Sequence, residues 1–300
     1  MYCAYFGFQE KPFNVTPDPR FLYLSKSHEE VLDSLLYGIN DRKGFLLLTG
    51  EVGTGKTTIA RALLDRLGET VDTALLFNPL LSTVELLRSI NGDFGQLLAS
   101  PSPKDQIDSL NNFLLSRFHE GRNAVVIIDE AQNLSVEALE MTRLLSNLES
   151  GSEKLLQILL VGQPELQEKL SRHDLRQLNQ RIIIRSHLKP LDFEDVCSYI
   201  LFRLGRVGAN VAKISFETEA FKRIYQFSQG FPRLINTLCD RILLSAYVEE
   251  TGTVTERLVQ VAEQDLSSAS PESSSWKRWV RWVTHRRVTH PWTGFSLRGR

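Results

Sequence analysis

The sequence predicts an α/β fold: a parallel five-stranded sheet with helices on both faces, built around a phosphate-binding loop and followed by a smaller helical unit. Three observations lead there. The octet Gly50-Glu51-Val52-Gly53-Thr54-Gly55-Lys56-Thr57 follows the apolar run 45–49 and runs into a helical pattern, the strand, loop, helix order of a P-loop. Five short apolar runs alternate with helical stretches, as a parallel sheet wrapped on both faces requires. After Pro190 the strand signals stop and helices take over, which marks a boundary between two units.

Taken in order, residues 1–40 form an N-terminal strap expected to pack on the nucleotide domain. It is an aromatic- and proline-rich lead with Phe6, Phe8, Pro12, Phe13, Pro17 and Pro19, then a helix from about 27 to 39. Residues 41–190 form the P-loop core, with buried strands expected at 45–49, 73–77, 124–128, 155–161 and 182–188. Helical patterns lie between them at about 57–67, 83–120 with a break near 100–103, 135–149 and 164–171. Residues 191–266 form a helical lid, with helices at about 192–207, 216–228, 231–250 and 255–265 and a turn at Gly230. Residues 267–300 are a Ser-rich linker and a basic, Trp-containing tail.

The composition, 42% hydrophobic and 24% charged over 300 residues, fits a globular chain long enough for two compact units. Cysteines at 3, 197 and 239 are odd in number and lack CxxC spacing, so they suggest neither a disulfide framework nor a zinc site and fit a reducing, cytoplasmic compartment. No run approaches about 18 apolar residues, and the N-terminus lacks a signal-peptide pattern. The net charge of −1 divides into +6 beyond Pro271 and −7 in the remainder.

The octet has a physical logic. A triphosphate is wrapped by backbone N–H groups, and Gly50, Gly53 and Gly55 allow the close approach that side chains prevent. Lys56 is placed to reach the β- and γ-phosphates, and the Thr57 hydroxyl to join a Mg²⁺ shell; Thr58 follows in the same turn with the wrong spacing for that ligand. The third run ends in Asp129-Glu130, carboxylates at the C-terminal edge of a strand, where ligands of open α/β sheets collect. Asp129 is the expected Mg²⁺ holder and Glu130 the expected polariser of the attacking water, the alternative being an acidic helix N-cap. Gln163 ends the fourth run, on a strand expected beside the P-loop strand, and is a candidate contact to the γ-phosphate or the water. Arg176, Arg181 and Arg233 are candidate γ-phosphate cations; spacing alone leaves each open between that role and solvated surface charge.

The set Gly50–Thr57, Val125–Glu130, Val161–Pro164, Arg176–Arg181 and Gly230–Asn236, with the opening Tyr5-Phe6-Gly7-Phe8 and Thr16-Pro17-Asp18-Pro19-Arg20, resembles the AAA+ ATPases of the general secretion pathway protein A (ExeA) type over about residues 5–265. The resemblance implies an AAA+ P-loop fold with a C-terminal helical lid, ATP and Mg²⁺ as cofactors, and ATP hydrolysis. It puts Gln163 at the sensor-1 position, Arg181 at the arginine-finger position acting on a neighbouring subunit, with Arg176 the weaker candidate, and Arg233 at sensor 2. It also implies a self-assembling cytoplasmic protein that acts on a secretion, pilus or exopolysaccharide component of the cell envelope. Long relatives carry a basic stretch before a membrane helix. The cations and tryptophans of 276–287 are similar to such a junction and fit a weak contact with the inner face of the cytoplasmic membrane. An alternative is an ATP-switched DNA-binding adaptor similar to transposition ATPases, against which stands the acidic body of residues 1–270. A slow-turnover, ATP-dependent scaffold is a third reading.

Overall fold

A computed structural model describes residues 1–268 apart from 17, 78–79, 97–99, 101, 152 and 209–212. Almost all of the linker and tail, with the basic stretch 276–287, lies outside the described residues. The chain opens on the short helix α1 (Tyr2–Phe6), followed by α2 (Lys26–Asn40), capped by the Ser25 hydroxyl accepting from the His28 N–H. The sheet region runs β1 (Phe45–Gly50), α3 (Lys56–Leu67), β2 (Val71–Leu76), α4 (Thr83–Asp93), α5 (Pro103–His119), β3 (Asn123–Ile128), α6 (Val136–Leu145), β4 (Gln157–Gly162), α7 (Pro164–Leu170), α8 (Arg176–Arg181) and β5 (Ile182–Leu188). The helical unit adds α9 (Phe193–Arg206), α10 (Thr218–Ser228), α11 (Pro232–Val248) and α12 (Glu256–Ser268).

The five strands pair in the order β2-β3-β4-β1-β5, every pair parallel. Strands β1, β3 and β4 are buried along their whole length, because helices cover both faces and leave no solvent side to favour polar alternation. Side-chain alternation still assigns the faces. Leu47, Val126, Ile158 and Leu160 point into a core completed by α4 to α8, whereas Leu46, Leu48, Ile127 and Leu159 point into a core completed by α2 and α3. Each fully buried leucine contributes about 1.5–3 kcal/mol over exposure, so the central strands are fixed in register and so are the loops at their ends. Strand β4 pairs with β1 in the register Thr49 to Gly162, which sets Gln163 beside the P-loop.

The strap divides. In α2, Leu32, Leu35 and Ile39 pack on the sheet with β1 and α3. The preceding Phe6, Phe8, Phe13 and Phe21 are instead buried in the helical unit with Tyr199, Ile235 and Ile242. The lead therefore differs from the expected packing of the whole strap on the nucleotide domain: helices already cover the sheet's faces, and α11 supplies the apolar partner. The Tyr5 ring meets that of Tyr247 edge-on at 5.4 Å, and the Tyr2 hydroxyl donates to Asp240. Two further differences are small. Residues 149–150 and 153–154 pair antiparallel, and 215–216 pair with 253–254 inside the helical unit. Two-residue ladders are too short to carry a period-2 signal.

Candidate functional site

The P-loop turns between the end of β1 and the start of α3. Gly53 has φ +82°, and a Cβ there would stand 2.9 Å from the Cβ of Arg233, so the loop and the first turn of α11 approach too closely for any side chain. The Arg233 N–H donates to the Gly53 carbonyl at 3.4 Å, which ties the helical unit to the loop. The Thr54 hydroxyl donates to the Glu51 carbonyl at 2.8 Å. Lys56 is buried, its Nζ donating to the carbonyls of Gly50 at 2.8 Å and Glu51 at 3.0 Å. Burial pushes its ammonium below the ordinary lysine range, opposed by the nearby charges of Glu130, Asp129 and Glu51. No side chain caps the start of α3 among the described residues, so its first turn presents the positive end of a twelve-residue helix to this concavity.

The end of β3 brings the carboxylates in. Asp129 is 2% exposed; its Oδ2 accepts from the Thr57 hydroxyl at 2.6 Å and its Oδ1 from the Glu130 N–H at 2.9 Å. Burial raises its carboxyl above the usual range, although both hydrogen bonds favour the charged form. Glu130 has a left-handed backbone, φ +53°, a conformation costing a non-glycine residue about 1–2 kcal/mol and found disproportionately at functional sites. Its Oε2 accepts from Gln163 Nε2 at 3.1 Å and from Gln132 Nε2 at 2.5 Å. These contacts form because β3 and β4 are neighbours ending on the same edge of the sheet.

The donor set suits Mg²⁺. A hydroxyl and a carboxylate oxygen converge at 2.6 Å beside a phosphate-type loop, and Mg²⁺ is held by one or two protein oxygens while keeping waters and phosphate oxygens. Among the described residues no cluster of three His, Cys, Asp or Glu side chains would hold a metal without such help.

The opposite wall comes from the strap and the helical unit. Asn14, Val15 and Tyr23 of the strap, Tyr199 and Arg203 of α9, and Arg233 and Asn236 of α11 line the same cleft as Gly53, Lys56, Thr57, Thr58 and Glu130. Arg203 is 4% exposed; its Nη1 donates to the Asn14 carbonyl at 3.3 Å and the Tyr199 hydroxyl at 3.1 Å, while Tyr199 donates to Asn236 Oδ1 at 2.8 Å. The guanidinium lies over the Phe21 ring at 4.8 Å, and its buried Nε has no hydrogen-bond partner among the described residues. His28 sits beneath the loop, with Nδ1 2.6 Å from the Ser25 hydroxyl and Nε2 3.5 Å from the Thr54 carbonyl. Arg233 is exposed, and its guanidinium has no hydrogen bond or ion pair among the described residues.

The structure therefore brings together Gly50–Thr57, Asp129, Glu130, Gln163 and Arg233. Arg181 stands elsewhere in the chain's own fold: its Nη1 donates to Arg143 O at 3.1 Å, Ser146 Oγ at 2.8 Å and Asn147 Oδ1 at 2.5 Å, closing the C-terminal end of α6. Arg176, at the start of α8, is exposed. Sequence reasoning missed Gln132, His28, Tyr199, Arg203 and Asn236. Arg203 did leave a signal, since it shares the buried stripe of α9 with Val196, Tyr199 and Ile200 at helical spacing.

Residues 39–170 match the family described as AAA domain. General secretion pathway protein A of Aeromonas hydrophila is 43% identical over 279 residues, covering 91% of this chain and 50% of that protein, so the chain spans half the length of this relative. The fold is similar to ORC2 of Aeropyrum pernix, solved in ADPNP–ADP complexes, with a TM-score of 0.64 at 19% identity over 88% of this chain and 73% of that one. It is also similar to Cdc6p of Pyrobaculum aerophilum, with a TM-score of 0.65 at 15% identity over 83% and 71%. A Walker-type ATPase of Pyrococcus abyssi gives 0.59 at 17% identity over 91% and 81%.

Proposed function

This chain is an AAA-domain P-loop NTPase related to general secretion pathway protein A, and on that premise we propose that it hydrolyses ATP to drive assembly or positioning of a cell-envelope component. The observation that carries the reading is the meeting of Thr57, Asp129 and Glu130 at the mouth of the Gly50–Thr57 loop. A hydroxyl, a buried carboxylate and a second carboxylate there supply the oxygens and the base that phosphoryl transfer to water needs.

In this reading the loop N–H groups and Lys56 hold the phosphates. Thr57 and Asp129 hold Mg²⁺, which when bound neutralises charge on the phosphate oxygens. Glu130 takes a proton from the attacking water, and Gln163 orients that water. Arg233 enters from the helical unit, where its exposed guanidinium and its contact with Gly53 couple phosphate binding to the seating of α11 on the loop. Arg181 is proposed to serve a neighbouring subunit; its three bonds at the end of α6 then fix the guanidinium and the surface that presents it. The envelope role rests on the kinship with the secretion protein, and self-assembly on the trans role of Arg181.

The test is steady-state ATP hydrolysis against protein concentration, with mass followed by light scattering with and without a nonhydrolysable ATP analogue. Specific activity rising with assembly mass, and lost in Glu130→Gln, is the expected result. Turnover independent of concentration removes the shared site, and full activity in Glu130→Gln removes Glu130 from the chemistry.

A further inference from the structure

The loop after β3 carries a side chain with no role so far. Gln132 stands two residues beyond Glu130 and uses both ends of its amide. Its Nε2 donates to Glu130 Oε2 at 2.5 Å, and its Oε1 accepts from the Gln163 backbone N–H at 3.2 Å. Gln163 closes the ring, its own Nε2 donating to the same Glu130 Oε2 at 3.1 Å. The Gln132 backbone is held as well, since Lys169 of α7 donates to its carbonyl at 3.1 Å.

The neighbouring chain leaves room for this amide. A Cβ on Gly162 would lie 2.8 Å from Gln132 Oε1 and 2.7 Å from Leu166 Cδ2, so a side chain at 162 competes with the amide for its place. Glu130 itself is fixed at the backbone, with φ +53° and its N–H on Asp129 Oδ1 at 2.9 Å. The two side-chain amides that donate to its carboxylate, those of Gln132 and Gln163, both fall on one oxygen, Oε2.

We propose that Gln132 is the positioning residue for the Glu130 carboxylate: it anchors Oε2 in concert with Gln163 and so reserves Oε1 for the attacking water. This rests on the hydrolytic reading above. In the step it serves, a water proton passes to Glu130 Oε1 and the water oxygen forms a bond to the γ-phosphorus. The bond from that phosphorus to the β–γ bridging oxygen breaks, and ADP leaves with the electron pair. A carboxylate at the end of a flexible stem turns freely unless one oxygen is held, and orientation of a base within hydrogen-bond reach is a large share of its effect. The amide at position 132 meets both demands, giving Gln163 N–H an acceptor and Glu130 a donor from one side chain.

The distinguishing variant is Gln132→Glu, which keeps the length and the acceptor but replaces the donor with a carboxylate; Gln132→Leu removes both. Measured on the full chain with ATP and Mg²⁺, both are expected to lower kcat by about 10- to 100-fold. Kd for ADP and for a nonhydrolysable ATP analogue is expected to stay within about threefold, and Gln132→Leu combined with Gln163→Leu is expected to lose less than the product of the single losses, since both act on one oxygen. Gln132→Glu with kcat within threefold of the unaltered protein overturns the proposal, as does a kcat loss matched by an equal loss of nucleotide affinity. Absence of turnover in the unaltered protein, or full turnover in Glu130→Gln, overturns the hydrolytic reading itself and is seen separately in the same assay.

Discussion

At one end of the cleft, Lys56 and Thr57 open α3 just past the loop that follows β1, and Asp129 and Glu130 follow the end of β3, the two sets brought within hydrogen-bond distance by fully buried strands. At the other end, Asn14, Tyr199, Arg203 and Asn236 come from a strap and two helices of the second unit, joined by a chain of single hydrogen bonds and one buried cation. The first end is rigid because the sheet has no freedom to shift by one residue without inverting its faces. The second depends on how the helical unit sits on the loop, through Arg233 and Gly53. On the proposed function, the fixed end carries the chemistry and the end tied through Arg233 is the one free to reseat.

The sharpest way to break the comparison is to substitute one cation at each end. Lys56→Ala is expected to weaken binding of a fluorescent ATP analogue by about a hundredfold, on the order of 3 kcal/mol, because charge-assisted bonds to phosphate are lost, with little change in Tm. Arg203→Met keeps the packing volume but loses the stacking on Phe21 and the bonds to Asn14 and Tyr199. It is expected to destabilise the fold by about 1–2 kcal/mol, a fall in Tm of several degrees, and to alter affinity far less. Equal effects on affinity from the two variants would erase the distinction.

A smaller effect sharpens the phosphate end. Burial raises the Asp129 carboxyl, so the folded protein holds that proton more tightly than the unfolded chain does. Stability from this group is therefore present when it is protonated and is lost as pH rises from the unfolded value near 3.9 through the raised folded value. Asp129→Asn is expected to be more stable than the unaltered protein at pH 7 and no more stable below about pH 4, while losing hydrolysis. Thermal melts across that range check it, and a gain that persists at acid pH would point to packing instead of charge.

The same contrast explains what was legible in the sequence. Gly50–Thr57 and Asp129-Glu130 are contiguous motifs on strands whose uniform apolarity announced burial, and the parallel sheet followed from their alternation with helices. Gln163 was a candidate because it ends an apolar run expected beside the P-loop strand, and that run does pair with β1. Gln132 lay two residues past a recognised pair, but an amide on a loop carries no pattern until β4 is placed beside β3. The strap's contact with α11 was hidden because its aromatics have no period that names a partner. Arg181 illustrates the opposite limit: a motif gave its position, while its bonds at the end of α6 depend on packing between α6 and α8.

On the proposed function, a nucleotide held by the P-loop also draws the helical unit and the strap over it, through Arg233 and the contact of α11 with Gly53. Hydrogen–deuterium exchange of the full chain, with and without a nonhydrolysable ATP analogue and Mg²⁺, tests it directly. Slowed exchange is expected in the loop at 51–58 together with slowed exchange in the strap at 14–23 and the first turns of α11. Protection confined to 51–58, with the strap and α11 unchanged, would contradict it.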